Sequence, residues 1–147
     1  MFLLNIFPTF NEMKKLLPLL LLILIGCSSP EPEPINYKEK LISRNNVYYT
    51  KDTNKPYSGP VFSLHDNDNE KIFQQFKLKN GRMDGTYKSY YRNGQLHESF
   101  YEEDGKSEGP YKKYYSDGQI ELEGTYKDGK LVEFTEYYPD GRVQRRM

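Results

Sequence analysis

Cys27 is the only cysteine among 147 residues, so it has no partner for an intrachain disulfide and no second thiolate with which to hold a metal. The two histidines, His65 and His97, fall at strand positions of a repeated unit, where they read as variants of positions held elsewhere by tyrosine or glutamate. Asp66-Asn67-Asp68-Asn69-Glu70 alternates oxygen ligands as a calcium loop does. An EF-hand loop, however, needs glycine at its sixth position and glutamate at its twelfth, and Lys71 and Lys77 stand there. Glu102, Glu103 and Asp104 sit at a repeat junction with nothing to pair them as acid and base. No Gly-x-Ser-x-Gly, His-Glu-x-x-His or phosphate-loop pattern occurs. The expectation is a protein that is not an enzyme, with no catalytic residue, no metal ligand and no cofactor.

The chemistry of Cys27 is therefore set by what precedes it. Lys14 and Lys15 lead into the apolar run Leu16 to Ile25, followed by the small residue Gly26. A short cationic start, an apolar stretch well below the ~20 residues of a membrane-spanning helix and a small residue at the cut describe a secretory signal peptide. Pro18 early in the run and the switch to polar chain at Ser28 argue against a buried helix. Leu24-Ile25-Gly26-Cys27 resembles the lipobox of bacterial lipoproteins. That resemblance implies diacylation of the Cys27 thiol, cleavage between Gly26 and Cys27, and acylation of the new amino terminus. Two or three acyl chains, at about 0.8 kcal/mol per buried methylene, would tether the domain to a membrane without inserting it. Met1 to Glu12 adds a second apolar patch and an acidic residue ahead of the lysines, and a start at Met13 would give a conventional signal.

Residues 1–26 are thus expected as signal peptide and residues 27–36 as the lipidated cysteine and its spacer, with the domain outside the cytoplasm on the cell membrane or outer membrane. In Ser28-Ser29-Pro30-Glu31-Pro32-Glu33-Pro34, proline fixes the backbone at every second residue from Pro30. Polyproline-like chain extends ~3.1 Å per residue, so this spacer could hold the domain roughly 20 Å above the headgroups. Ser28 and Ser29, without an aspartate after the cysteine, lean towards the outer membrane by the sorting rule of lipoproteins in general.

Twenty-one Lys and Arg balance 21 Asp and Glu, and removing Glu12, Lys14 and Lys15 leaves the balance near zero. Nucleic acid is excluded as a partner on this ground, since phosphate binding needs a clustered positive field. Only Arg142, Arg145 and Arg146 cluster. The 14 tyrosines all follow Cys27, and tryptophan is absent. A phenol can stack on a sheet while its hydroxyl stays wet, so the composition suits a thin sheet without a deep core.

From about Val47 the chain repeats with a period of about 24 residues. Gly85-Thr86-Tyr87-Lys88-Ser89-Tyr90-Tyr91-Arg92-Asn93-Gly94-Gln95-Leu96 matches Gly109-Pro110-Tyr111-Lys112-Lys113-Tyr114-Tyr115-Ser116-Asp117-Gly118-Gln119-Ile120. A third copy places Phe134 at the Tyr111 position, Tyr137-Tyr138 at the tyrosine pair and Asp140-Gly141 at the turn. Asn80-Gly81, Asp104-Gly105 and Asp128-Gly129 mark the second turn of each unit. A worn copy starts at Gly59-Pro60-Val61, and Val47-Tyr48-Tyr49 to Tyr57 reads as half a copy before it. Each unit is strand, tight turn, strand, tight turn. The turn glycines Gly81, Gly94, Gly105, Gly118, Gly129 and Gly141 are expected in type I′ turns, whose two central residues both need positive φ.

Alternation places Tyr87 and Tyr91 on one face and Tyr90 on the other, and likewise Tyr111 and Tyr115 against Tyr114. Three columns follow: Val61, Tyr87, Tyr111 and Phe134; His65, Tyr91, Tyr115 and Tyr138; and, opposite, Leu64, Tyr90, Tyr114 and Tyr137. Ile72, Leu96, Ile120 and Val143 come from the return strands. The candidate binding face is Tyr87, Tyr91, Tyr111, Tyr115, Phe134 and Tyr138, because aromatic patches are favoured at interfaces.

Tyr114-Tyr115-Ser116-Asp117-Gly118 followed by Tyr126-Lys127-Asp128-Gly129-Lys130-Leu131 resembles the MORN-repeat variant of bacterial proteins, the group that includes YwqK-like antitoxins. The resemblance runs from about Val47 to Val143. It departs from the pattern at Lys106-Ser107-Glu108, which lacks the apolar residue supplied by Leu131, and at Val132-Glu133, which replaces the expected glycine. It implies an all-β fold, an elongated, single-layer, open antiparallel sheet of stacked hairpins, with residues 37–58 as an N-terminal strand or partial repeat and residues 59–147 as the repeat domain. Such repeats serve as interaction scaffolds. The expected function is a tethered, non-catalytic protein-binding module with an envelope protein as partner. The alternatives are an immunity protein meeting a toxin in the envelope, a purely structural lipoprotein, and lipid or glycan binding by the tyrosine face.

Overall fold

A computed structural model describes residues 32–68 and 70–147. The signal peptide, the Gly26–Cys27 cleavage point, the acylated cysteine and the first part of the spacer lie outside the described residues. Among the described residues no helix is long and apolar enough to cross a membrane.

The chain forms strands β1 (Ile35–Asn36), β2 (Leu41–Arg44), β3 (Val47–Thr50), β4 (Gly59–Leu64), β5 (Ile72–Lys79), β6 (Arg82–Met83), β7 (Gly85–Tyr90), β8 (Leu96–Glu103), β9 (Lys106–Tyr114), β10 (Ile120–Lys127), β11 (Lys130–Tyr137) and β12 (Val143–Arg146), with one helical turn, α1 (Tyr37–Lys40). An open sheet runs β1-β4-β5-β7-β8-β9-β10-β11-β12, with β6 beside β5. From β4 onward the spatial order follows the chain, because a short turn leaves each strand no neighbour but the one just completed. The sheet is all-β and open, as the repeats imply. It begins inside the segment expected as spacer: Ile35 and Asn36 pair in parallel with Val61 and Phe62.

The turns divide into two kinds. At Asn80-Gly81, Asp104-Gly105 and Asp128-Gly129 both residues have positive φ (51° and 78°, 51° and 79°, 52° and 76°), the type I′ geometry expected. Asn93-Gly94, Asp117-Gly118 and Asp140-Gly141 correct the expectation, since only the glycine of each pair has positive φ. Here a third residue enters the loop. Tyr91 N–H donates to the Gln95 carbonyl (2.8 Å) and Gly94 N–H to that of Tyr91 (2.9 Å), and the pattern recurs at Tyr115 and Tyr138. The Asx side chain caps the turn from outside the left-handed region: Asn93, Asp117 and Asp140 each accept at 3.0 Å from the amide two residues on.

Beside these loops every return strand carries a bulge that the sequence did not reveal. Ser63 faces Gln74 while Leu64 faces Ile72; Ser89 faces Glu98 while Tyr90 faces Leu96; Glu136 faces Arg145 while Tyr137 faces Val143. Lys113 facing Leu122 while Tyr114 faces Ile120 completes the series. Phe73, His97, Glu121 and Gln144 are the extra residues, and each bulge adds local twist.

On one face the residues opposite one another form a continuous row. Ile35, Val61 and Phe76 are in register, as are Tyr87 with Phe100 and Tyr111 with Gly124 and Phe134. The expected column Val61, Tyr87, Tyr111, Phe134 is present, interleaved with Phe76 and Phe100 from the return strands.

Val47–Thr50 does not open the array as half a repeat. It pairs with Leu41–Arg44 in a separate two-stranded sheet, turned by Asn45 and Asn46, both at positive φ. This hairpin covers the first part of the aromatic face. Tyr48 lies 5.7 Å from Phe76 and 5.8 Å from Tyr37, and Leu41 of the hairpin forms the buried core with Val61, Phe76 and Leu78 of the sheet. Backbone bonds fix the cover: Tyr48 N–H donates to Gly81 O and Gly81 N–H to Tyr57 O, both at 2.7 Å.

Candidate functional site

The six aromatic residues expected as a binding face fall into three structural roles. Tyr87, Tyr111 and Phe134 belong to the row that continues beyond the hairpin cover. Two residues missing from the expected set complete it: Phe100 stacks on Tyr87 at 4.6 Å, and Tyr126 meets Tyr111 edge-on at 5.3 Å and Phe100 at 6.4 Å. All are half-buried. The signal for Phe100 and Tyr126 was the same period read on the return strands, where Phe76, Phe100 and Gly124 are equivalent, as are Leu78, Glu102 and Tyr126. At Gly124 the row loses a ring because there is no room for one: a Cβ would meet the Glu133 carbonyl oxygen at 2.4 Å and the Phe134 Cβ at 3.0 Å. Tyr126 closes the gap from the neighbouring position.

The rings are oriented by their hydroxyls. Tyr87 donates to Gln74 Oε1 (3.0 Å) and Tyr111 to Glu98 Oε2 (3.1 Å). Burial first, and the Glu98 carboxylate second, hold both phenols above their ordinary pKa, so both stay neutral donors throughout the physiological range. At the far end the Arg145 guanidinium lies 4.8 Å over the Phe134 ring.

Tyr91 and Tyr115 do something else. The Tyr91 hydroxyl donates to the Tyr114 carbonyl and that of Tyr115 to the Tyr137 carbonyl, each at 2.7 Å. They are staples between successive units, a role distinct from that of the row. Tyr138 holds the same place in the last unit and is 44 % exposed, with Arg142 5.8 Å over its ring. Its hydroxyl has no acceptor among the described residues.

The bulged residues add a polar border. His97 Nδ1 lies 3.2 Å from Ser89 Oγ, and its ring meets Tyr91 at 4.6 Å. A serine–histidine contact has the residue types of a nucleophile and its base, but Ser89 is 1 % exposed, so a substrate cannot reach it. Lys113 Nζ donates to Glu121 Oε1 at 2.6 Å, and this bond raises the lysine above its ordinary value. No group of three or more His, Cys, Asp or Glu side chains able to hold a metal occurs among the described residues. The opposite face has a shallow groove of about 600 Å³ lined by Pro34, Pro60, Phe62, Ile72, Gln75 and Thr86. Rings stacked on a rigid sheet, with carboxylates and cations at their border, are suited to non-covalent recognition.

No curated protein and no solved structure matches the chain. The family model described as MORN repeat variant matches residues 83–103 and 107–128. The first match takes in β7, its loop and β8; the second takes in nearly all of β9 and all of β10. These two central units of the sheet, each an outgoing strand, an Asx-capped loop and a bulged return strand, are the part of the chain that is similar to the MORN repeat variant.

Proposed function

We propose that this protein is a non-catalytic binding or scaffolding module of the bacterial envelope, tethered to a membrane through acyl chains on Cys27, and that it recognises an envelope protein. The observation that carries the binding reading is the unequal cover of one face. Over β4 and β5 the aromatic row is buried by the β2–β3 hairpin, while over β8 to β11 the same row stays half-exposed, with no second layer among the described residues. A partner that lays an apolar surface there would repeat what the hairpin does at the other end. The MORN-variant match supports the non-catalytic part of this reading.

Two experiments test it. A photoreactive residue replacing Tyr126 should capture one envelope protein in living cells, whereas the same residue replacing Tyr115, a staple position, should capture little. Equal background labelling from both positions would remove the binding reading and leave the aromatic row as packing; the identity of the captured protein would show whether it is a toxin, as the immunity alternative requires. For the tether, radiolabelled palmitate should enter the wild type and not Cys27→Ala, and equal labelling of the two would end the lipoprotein reading.

A further inference from the structure

We infer that the outer edge of β12 is a second recognition site, which takes an extended acidic segment of a partner protein as an additional antiparallel strand. The inference rests on the binding-module reading and names a different surface from the aromatic face.

The two edges of the sheet are treated differently. At the first edge β4 is covered by β1, in parallel. At the other, among the described residues, β12 has a neighbour on one side only, β11. Met147 exchanges backbone bonds with Phe134 (3.0 and 3.2 Å), so strand alternation turns the N–H and C=O of Arg146 towards the open side. All of residues 138–147 are exposed. Unpaired edges of this kind are templates for strand addition.

The repeat specifies what would fit. After β8 and again after β10 comes an outgoing strand whose end carbonyl accepts the staple: Tyr91 to Tyr114, Tyr115 to Tyr137. Tyr138 is the third staple, and the strand that would hold its acceptor is the one beyond β12. The register carries over as well. Glu98 and Ser99 of β8 face Lys113 and Lys112 of β9, and Leu122 and Glu123 of β10 face Glu136 and Thr135 of β11. In β12 these places belong to Arg145 and Arg146. An added strand would therefore set two consecutive side chains, one on each face, opposite two arginines. Glu136, 3.2 Å from Arg145, and Asp140, 2.7 Å from Arg142, offset part of the local charge, while Arg146 has no ion-pair partner among the described residues.

Self-association fits poorly at either end. A second copy's β12 placed antiparallel on the first would set arginines against arginines. Joining β12 to another copy's β4 would require β1 to leave Val61 and Phe62. The complementary occupant carries the pattern aromatic, acidic, acidic, aromatic.

The probe is a synthetic peptide with the sequence of Gly109 to Tyr115 carrying Lys112→Glu and Lys113→Glu; the unaltered Gly109 to Tyr115 peptide is the control. With the full-length protein in detergent micelles, the acidic peptide should bind at least about tenfold more tightly than the control and weaken as salt rises. Arg145→Glu together with Arg146→Glu should abolish the preference, with the thermal unfolding midpoint showing that the fold is retained, and Tyr138→Phe should weaken binding about fivefold. Equal affinity for the two peptides, or no binding of the acidic one at millimolar concentration, would overturn the inference. Peptide binding with no capture at Tyr126 in cells would instead leave the edge site standing and remove the aromatic-face reading.

Discussion

Phe76→Ala should lower the stability of the domain by about 3–5 kcal/mol, whereas Phe100→Ala, the same position one unit later, should lower it by only about 1–2 kcal/mol. The two residues are identical in type and place in the repeat. Phe76 is 5 % exposed, between Val61 and Tyr87 in the row and beneath Tyr48, so its removal leaves a cavity that the hairpin above cannot follow. Phe100 is half-buried and has Tyr87, Tyr111 and Tyr126 around it but no layer above, so its neighbours can close in. Among the described residues the buried hydrophobic core consists of Leu41, Val61, Phe76 and Leu78, and a domain of ordinary stability loses most of its margin with one such residue. Urea unfolding followed by circular dichroism gives both values. Equal losses would mean that the hairpin cover contributes nothing to the core and that each unit stands on its own stacking.

The repeat was legible because it is written in residues whose backbone demands are narrow. Asparagine or aspartate before glycine, at a constant interval between tyrosine-rich runs, gives the hairpins, their order and the shared face of Tyr87 and Tyr111. The split between two turn types was not legible, since Asn80-Gly81 and Asn93-Gly94 have the same letters. What separates them is one further loop residue, and that depends on where pairing resumes on the return strand. The bulges at Phe73, His97, Glu121 and Gln144 escaped for the same reason: nothing in an unpaired residue's type marks it as unpaired. Least legible was the role of residues 41–50. Val47-Tyr48-Tyr49 has the composition of a repeat strand, and only its pairing with Leu41–Arg44 and its bonds to Gly81 turn it from a member of the sheet into its cover. Of the six candidate aromatics, Tyr91 and Tyr115 also staple successive units, and that role was not legible because a hydroxyl's acceptor two strands away is not written in the local pattern.

The second large effect separates two glycines that the repeat makes equivalent. Gly129→Ala should cost about 1 kcal/mol, because φ at +76° is strained for any residue with a Cβ while nothing lies within 4 Å of where that Cβ would be. Gly81→Ala meets the same strain at φ +78°, but its Cβ would lie 2.6 Å from Val47 Cγ1 and 2.8 Å from the Tyr48 carbonyl oxygen. The Tyr48 oxygen is backbone and accepts from Tyr57 N–H at 3.0 Å, so it can move only if the β2–β3 hairpin moves with it. Gly81 also bonds the hairpin directly, accepting from Tyr48 N–H, and holds Tyr57, which is itself bonded to Tyr48. The loss should therefore reach about 3 kcal/mol or more, the size of a core substitution. It should also be localised, because the β8–β9 turn is bonded to β6, through Gly105 N–H on the Met83 carbonyl (2.8 Å), and not to Gly81. Hydrogen exchange should show the Tyr48 and Gly81 (now alanine) amides losing protection while amides of β9 and β10 keep theirs. Equal losses for the two variants, or uniform loss of protection across the sheet, would mean that the hairpin is held by Tyr48 on Phe76 alone and that the turn beneath it is free to yield.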